Sequence, residues 1–328
     1  MERLQRVLNH RAIRLLGPLL GLICSAVFIS RLDFPEVGAA FNGLAWYWLL
    51  PVLLFGCLNL WLRAVRWGVL LAPAAPLPTA QLLGIGISAG LAGLGLPARG
   101  GDAVKVLLAI KLPGVKLTDV AAAELLERLV DGAIFGSFIS VAAIVGGVEG
   151  WPLTLGYGAV ALYIPTLLAV PLAGWYLGSA TTAADEHESA WHPRRLLRAA
   201  SGAANRRGPR LMVRAAQLSF LAWIAEAASY YCLLVGFGWL APPALPLAAV
   251  GVANFAFAVP GAPAGVGTFH VPVSSLLVDG FGADPGMAAA FAVVLHLAVL
   301  APVPLVWVML AARRRWQAAH QAAPVRIS

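Results

Sequence analysis

Four charged residues, Glu124, Glu127, Arg128 and Asp131, stand at i, i+3, i+4 and i+7 of an otherwise apolar stretch. At those offsets they share one stripe of a helix. With a rise of ~1.5 Å per residue, Asp131 lies about 18 Å along that helix from Asp119, deep in any bilayer-crossing segment. An unpaired ion at such depth costs about 2.5–3.5 kcal/mol on insertion scales, so the stripe must face protein or a water-filled cavity. Two roles suit it. One is a ladder of ion pairs, Glu124 to Arg128 and Arg128 to Asp131, that only fastens helices. The other is a polar path for a lipid headgroup or for protons.

A second group lies upstream, in Leu96-Pro97-Ala98-Arg99-Gly100-Gly101-Asp102-Ala103-Val104-Lys105. Helix ends at such a break expose backbone N–H groups and a positive dipole end, which attract anions. Arg99 and Lys105 would hold a phosphate by charge-assisted bonds, with Asp102 orienting the arginine or capping the return helix. Alternatively Arg99 and Asp102 pair only with each other. Arg63 and Arg66 close an apolar segment between Trp61 and Trp67, as interfacial anchors or as part of the headgroup path. Downstream, Pro260 to His270 forms a matching tip in which Gly265 and Gly267 permit positive φ and His270 can titrate near neutral pH. His296 and Glu226 each sit in the middle of an apolar run, and His296 suits either a helix-to-helix hydrogen bond or a functional role.

The elements that must position these residues follow from composition. Of the 328 residues 60% are hydrophobic and 12% charged, about half the charge of a soluble chain. Full spans are expected near 12–30, 44–62, 120–146, 153–177, 215–240 and 286–311, each able to cross ~30 Å of hydrocarbon. They leave no segment for a soluble catalytic domain. Two further regions, 79–118 and 244–280, are apolar but dense in Gly and Pro, so neither reads as one unbroken helix.

The net charge of +8 reports orientation, not nucleic acid, because basic residues collect in cytoplasmic loops. Arg3, Arg6, Arg11 and Arg14 place the N-terminus inside, ahead of a retained first helix. Asp33 and Glu36 follow outside, and Arg313, Arg314 and Arg315 place the C-terminus inside. Keeping Lys111, Lys116 and the Arg-rich loop 178–214 cytoplasmic requires 79–118 to enter and return as a re-entrant hairpin. The same logic makes 244–280 a hairpin from the opposite side. The expected fold is one all-α polytopic membrane domain, 1–328, of about six full spans plus two re-entrant hairpins. Units 79–146 and 244–311 form an inverted-topology repeat, a ground plan of transporters.

Catalytic motifs are sparse. Gly86-Ile87-Ser88-Ala89-Gly90 matches G-x-S-x-G but lies in an apolar arm, where Gly86 and Gly90 suit helix packing. A membrane-embedded hydrolase using Ser88 with His270 or His296 is the minor alternative. Cys24, Cys57 and Cys232 suit neither a disulfide framework nor a zinc site. No cofactor or metal is expected.

With the Pro97-Ala98-Arg99-Gly100-Gly101-Asp102 tip, Arg63-x-x-Arg66-Trp67, Glu127-Arg128-x-x-Asp131 and Pro263-x-Gly265-Val266-Gly267 in place, the chain resembles the lysylphosphatidylglycerol synthase transmembrane-region family, a flippase-like family. The resemblance covers nearly the whole chain. Lys105 stands where that family commonly has Arg, and His270 where its motif usually ends in Glu. In the multiple peptide resistance factor of that family, a soluble domain transfers lysine to phosphatidylglycerol and the membrane half moves the product between leaflets. The resemblance implies a stand-alone member that translocates lipid without synthesising it.

The reading that follows is a translocase of the bacterial inner membrane for a phospholipid or other phosphate-bearing lipid. Its substrate path is drawn from Arg63, Arg66, Arg99, Asp102, Lys105, Glu124, Glu127, Arg128, Asp131, Glu226, Gly265, Gly267, His270 and His296. Membrane lipids are the expected partners, with a homo-oligomer and a lipid-biosynthesis enzyme left open. The rivals are a non-transporting accessory subunit of a lipid or glycan pathway and an ion-coupled importer of a small solute.

Overall fold

The computed structural model describes residues 11–30, 32–71, 77–96, 100–177, 193–259 and 263–321. The described chain is all-α. Helix α1 runs Arg11–Ser30 and α2 Phe34–Gly43; a 3-10 turn, Trp46–Trp48, leads into α3, Leu49–Leu71. Helices α4 (Thr79–Gly95) and α5 (Gly100–Ala109) precede the long α6 (Leu117–Gly146) and α7 (Trp151–Leu177). Helix α8 spans Pro193–Gly236, α9 Ala244–Ala258 and α10 His270–Ser275, which continues as one π-helical turn, Leu276–Gly280. Helices α11 (Pro285–Leu300) and α12 (Pro302–Gln321) end the described chain.

Local chemistry sets the boundaries. Asp33 and Asp284 cap α2 and α11 by accepting the Glu36 and Met287 N–H groups, at 3.3 and 2.8 Å, with a proline in each first turn. Gly147, at φ 66°, closes α6 in the left-handed conformation that a side chain would strain. Gly208 (φ 69°, ψ 167°) followed by Pro209 breaks α8 into an arm and a crossing.

Segments Trp46–Leu71, Leu117–Gly146, Trp151–Val170, Gly208–Gly236 and Pro285–Arg313 are long and apolar enough to cross a bilayer. The 20-residue α1 carries its apolar part over Leu19–Ser30. Leu22, Leu54, Ile144, Val145, Leu168, Leu172 and Met309 stand exposed on these helices. That outer surface suits lipid, not water. The expectation of a multi-pass all-α membrane protein holds.

Two boundaries differ from expectation. The second span does not stop at 62 but runs through Arg63 and Arg66 to Leu71. The arginine-rich segment expected as a loop is helical from Pro193 onward, while 178–192 lies outside the described residues. Ser201 fastens this arm to α7 through the Val170 carbonyl, at 2.5 Å.

Helix α6 is the axis: two-thirds (67%) of its most apolar stretch is buried, against 17% for α7. Its Phe135 and Ile139 join Trp223, Tyr230, Ala249, Phe269, Phe291 and Leu295 in the main core. The two Gly/Pro-rich regions fold as hairpins. In the first, α5 returns along α4, and a side chain at Gly101 would strike the Ala89 carbonyl and Gly93. In the second, α9 turns back into α10 through a turn at Pro263–Gly265, where Ala264 and Gly265 have φ of 56° and 73°. Each hairpin leans on the other half of the chain. Gly251 of α9 packs against Ile139 and the Phe135 carbonyl of α6, and Gly90 of α4 packs against Val303 of α12.

Candidate functional site

Arg66 is the centre of a sealed charge cluster. Fully buried on α3, it donates from Nη1 to Asp131 Oδ1 at 2.5 Å and to Ser219 Oγ at 2.8 Å, and from Nη2 to Glu127 Oε1 at 2.6 Å. A planar guanidinium can bridge two carboxylates one helical turn apart, and its charge offsets theirs in an interior that would not tolerate them singly. Trp223 Nε1 donates to the same Asp131 oxygen at 2.7 Å. Lys105, on the return arm of the first hairpin, meets Glu124 Oε1 at 2.7 Å and Glu127 Oε2 at 3.0 Å, its Nζ 4.6 Å above the Trp67 ring.

The intrahelical ladder drawn from the sequence is absent among the described residues. Arg128 turns away from Glu124 and Asp131 and reaches Asp102 of α5 at 2.6 Å, with both side chains about 40% exposed (37% and 43%). The three carboxylates take their cations from α3 and α5 instead. Arg66 is no interfacial anchor, since it has no exposed surface, and Trp67 is buried beside it while Trp61 stays outward. The counter-charge on α6 is what allows α3 to continue past its arginines.

Beside this cluster opens a cavity of about 410 Å³. Its charged lining is Arg63, Asp102, Lys105, Glu127, Arg128, Asp131 and Glu226, contributed by α3, α5, α6 and α8. Its apolar lining includes Leu60, Leu82, Leu83, Val299, Leu300 and Val303, largely from α4, α11 and α12. The ends of both hairpins reach it, through Gly93, Leu94 and Leu96 on one side and Val259, Ala264 and Gly265 on the other. Arg63 projects its guanidinium over the Trp223 ring at 5.2 Å and makes no ion pair with any described residue. Glu226 accepts from Tyr230 Oη and Asn254 Nδ2, both at 2.9 Å and both on Oε1.

Not every expected residue reaches the cavity. Arg99 lies outside the described residues. Gly267, at φ 86°, lies against Gly21 and Ser25 of α1, where a side chain would not fit; its role there is packing. His270 and His296 come together behind the second tip, Nε2 to Nδ1 at 3.2 Å, while His296 Nε2 donates to the Ala264 carbonyl at 2.8 Å. They brace the strained turn and do not line the cavity. Gly86 and Gly90 both line the cavity, and Gly90 also packs against Val303. Ser88 Oγ donates to the Gly84 carbonyl of its own helix at 2.8 Å. Among the described residues no group of three or more His, Cys, Asp or Glu could hold a metal.

Sequence reasoning missed Ser219, Trp223, Tyr230 and Asn254. Ser219, Trp223, Glu226 and Tyr230 fall at i, i+4, i+7 and i+11, a second polar stripe facing the first. Asn254 is a lone amide in an apolar hairpin arm.

Residues 14–306 of the 328 match the family model described as the lysylphosphatidylglycerol synthase TM region, and the chain belongs to that family. No curated protein matches it.

Proposed function

We propose that this member of the lysylphosphatidylglycerol synthase transmembrane-region family moves a phosphate-bearing lipid between the leaflets of a bacterial inner membrane, with both termini cytoplasmic. The observation that carries the reading is a single cavity lined by both charged and apolar side chains. A headgroup cannot cross hydrocarbon unaided, because its charges lose their hydration. A wall of Arg63, Lys105, Arg128, Asp131 and Glu226 replaces water along such a path, while Leu82, Leu83, Val299 and Val303 suit the start of the acyl chains. Since carboxylates already hold Lys105 and Arg128, Arg63 is, among the described residues lining the cavity, the cation left to meet a phosphate.

The twofold occurrence of a hairpin followed by a long helix, with each hairpin leaning on the other unit, supports an inverted repeat. The commitments of Ser88, His270 and His296 favour a transporter over a hydrolase. The sealing of Arg66 favours a second reading, an accessory subunit whose charges only hold helices.

Reconstitution separates the two. Vesicles holding the protein and a trace of acyl-labelled fluorescent phospholipid are exposed to a membrane-impermeant reductant. Inner-leaflet label should become reducible faster than in protein-free vesicles, and Arg63→Gln should slow this at least tenfold. Folded wild-type protein that gives no acceleration would leave the accessory reading.

A further inference from the structure

Resting on the translocase reading, we propose that the headgroup this cavity selects is a zwitterion, its phosphate on Arg63 and its ammonium on Glu226. Among the described charged residues of the lining, these two belong to no ion pair. Arg63 has a ring beneath it and no carboxylate within ion-pair distance among the described residues. Glu226 has the converse problem. Tyr230 and Asn254 both donate to Oε1, which leaves Oε2 without a described partner, and no described cation pairs with the carboxylate.

The two charges share a wall. Arg63 sits on the face of Trp223, Trp223 stands three residues before Glu226 on α8, and Arg63 and Glu226 both line the cavity. No ion pair joins Arg63 to Glu226. A phosphate joined to an ammonium by two carbons carries one charge for each of the two side chains. An anionic phosphoglycerol headgroup answers Arg63 and leaves Glu226 facing a hydroxyl. A purely cationic group answers Glu226 and leaves the guanidinium bare. Either leaves one charge desolvated and unpaired, which a zwitterion avoids. Tyr230 and Asn254 fix the carboxylate's direction, as preorganised partners should.

The test compares full-length protein in vesicles carrying acyl-labelled phosphatidylethanolamine or acyl-labelled phosphatidylglycerol, alongside native mass spectrometry of the delipidated protein with an equal mixture of the two lipids. Phosphatidylethanolamine should move and be retained about tenfold over phosphatidylglycerol, the weight of one charged hydrogen bond. Glu226→Gln keeps the shape and both hydrogen bonds of Oε1, and should bring the ratio to about one, while Arg63→Gln should lower both lipids together. Equal retention by wild type, or a ratio unmoved by Glu226→Gln, overturns the assignment even where lipid is transported. Selective retention without transport supports the site and removes the translocase reading alone.

Discussion

Arg63 and Arg66 stand one helical turn apart on α3, near the same carboxylates, and differ in almost everything else. Arg66 has no exposed surface and three hydrogen bonds, to Glu127, Asp131 and Ser219. Arg63 lines a cavity, rests on a tryptophan face and has no ion-pair partner among the described residues. A charge that the protein itself pairs with buried carboxylates is architecture. A charge left facing a cavity is available to a ligand, and the contrast shows that burial and partner count, not residue type or depth, separate the two roles.

The contrast breaks most visibly at Arg66. Arg66→Met leaves Glu127 with Lys105 alone and Asp131 without a cation, and should destabilise the protein by about 3–5 kcal/mol. Thermal unfolding in detergent reads the loss. Adding Glu127→Gln and Asp131→Asn to Arg66→Met should recover much of it, because the buried anions go with the cation. A triple variant as unstable as the single one would mean that packing, not charge, sets the cost.

Lys105→Met comes next. Glu124 loses its one described ion-pair partner while Glu127 keeps Arg66, so a loss of roughly 2 kcal/mol is expected. The same unfolding measurement should rank it between Arg66→Met and Arg63→Gln. Arg63→Gln forfeits a cation–π contact and no ion pair with a described residue, about 0.5–1 kcal/mol, yet should slow lipid transfer at least tenfold. Transfer and unfolding measured on one preparation sharpen the comparison: Arg66 variants should fail through stability, Arg63 variants through transfer at nearly normal stability.

Much of this division was legible in the sequence, and the rest failed for physical reasons. The hairpins declared themselves because Gly93, Gly100, Gly101, Gly265 and Gly267 cannot sit comfortably in unbroken apolar helices. The stripe on α6 followed from helical spacing alone. Its partners did not, because Arg66 and Asp131 are 65 residues apart and pairing at that separation depends on tertiary packing. The rule that places arginine at the membrane surface ended α3 too early, since it treats each cation as unpaired. Glu226 was legible as a buried charge, but its companions were not, as Trp223 and Tyr230 read as ordinary apolar bulk. The histidines were each singled out, and only the fold could show that they bond to each other.

The smallest effect is expected at the mouth of the cavity, where Arg128 meets Asp102 with both side chains about 40% exposed. Water and salt reach this pair, so Arg128→Gln should cost ~0–1 kcal/mol and the difference should shrink further as ionic strength rises. Arg66 lies beyond the reach of mobile ions, and the cost of Arg66→Met should hardly change over the same salt series. The pair nevertheless ties the return arm of the first hairpin to the central helix, a tie between parts of the cavity wall that is weak enough to open. Unfolding of both variants from low to high salt tests whether solvent access distinguishes them. If Arg128→Gln proved as costly and as insensitive to salt as Arg66→Met, the mouth pair would belong to the sealed cluster, and the boundary between architecture and ligand-facing charge would have to be drawn at Arg63 alone.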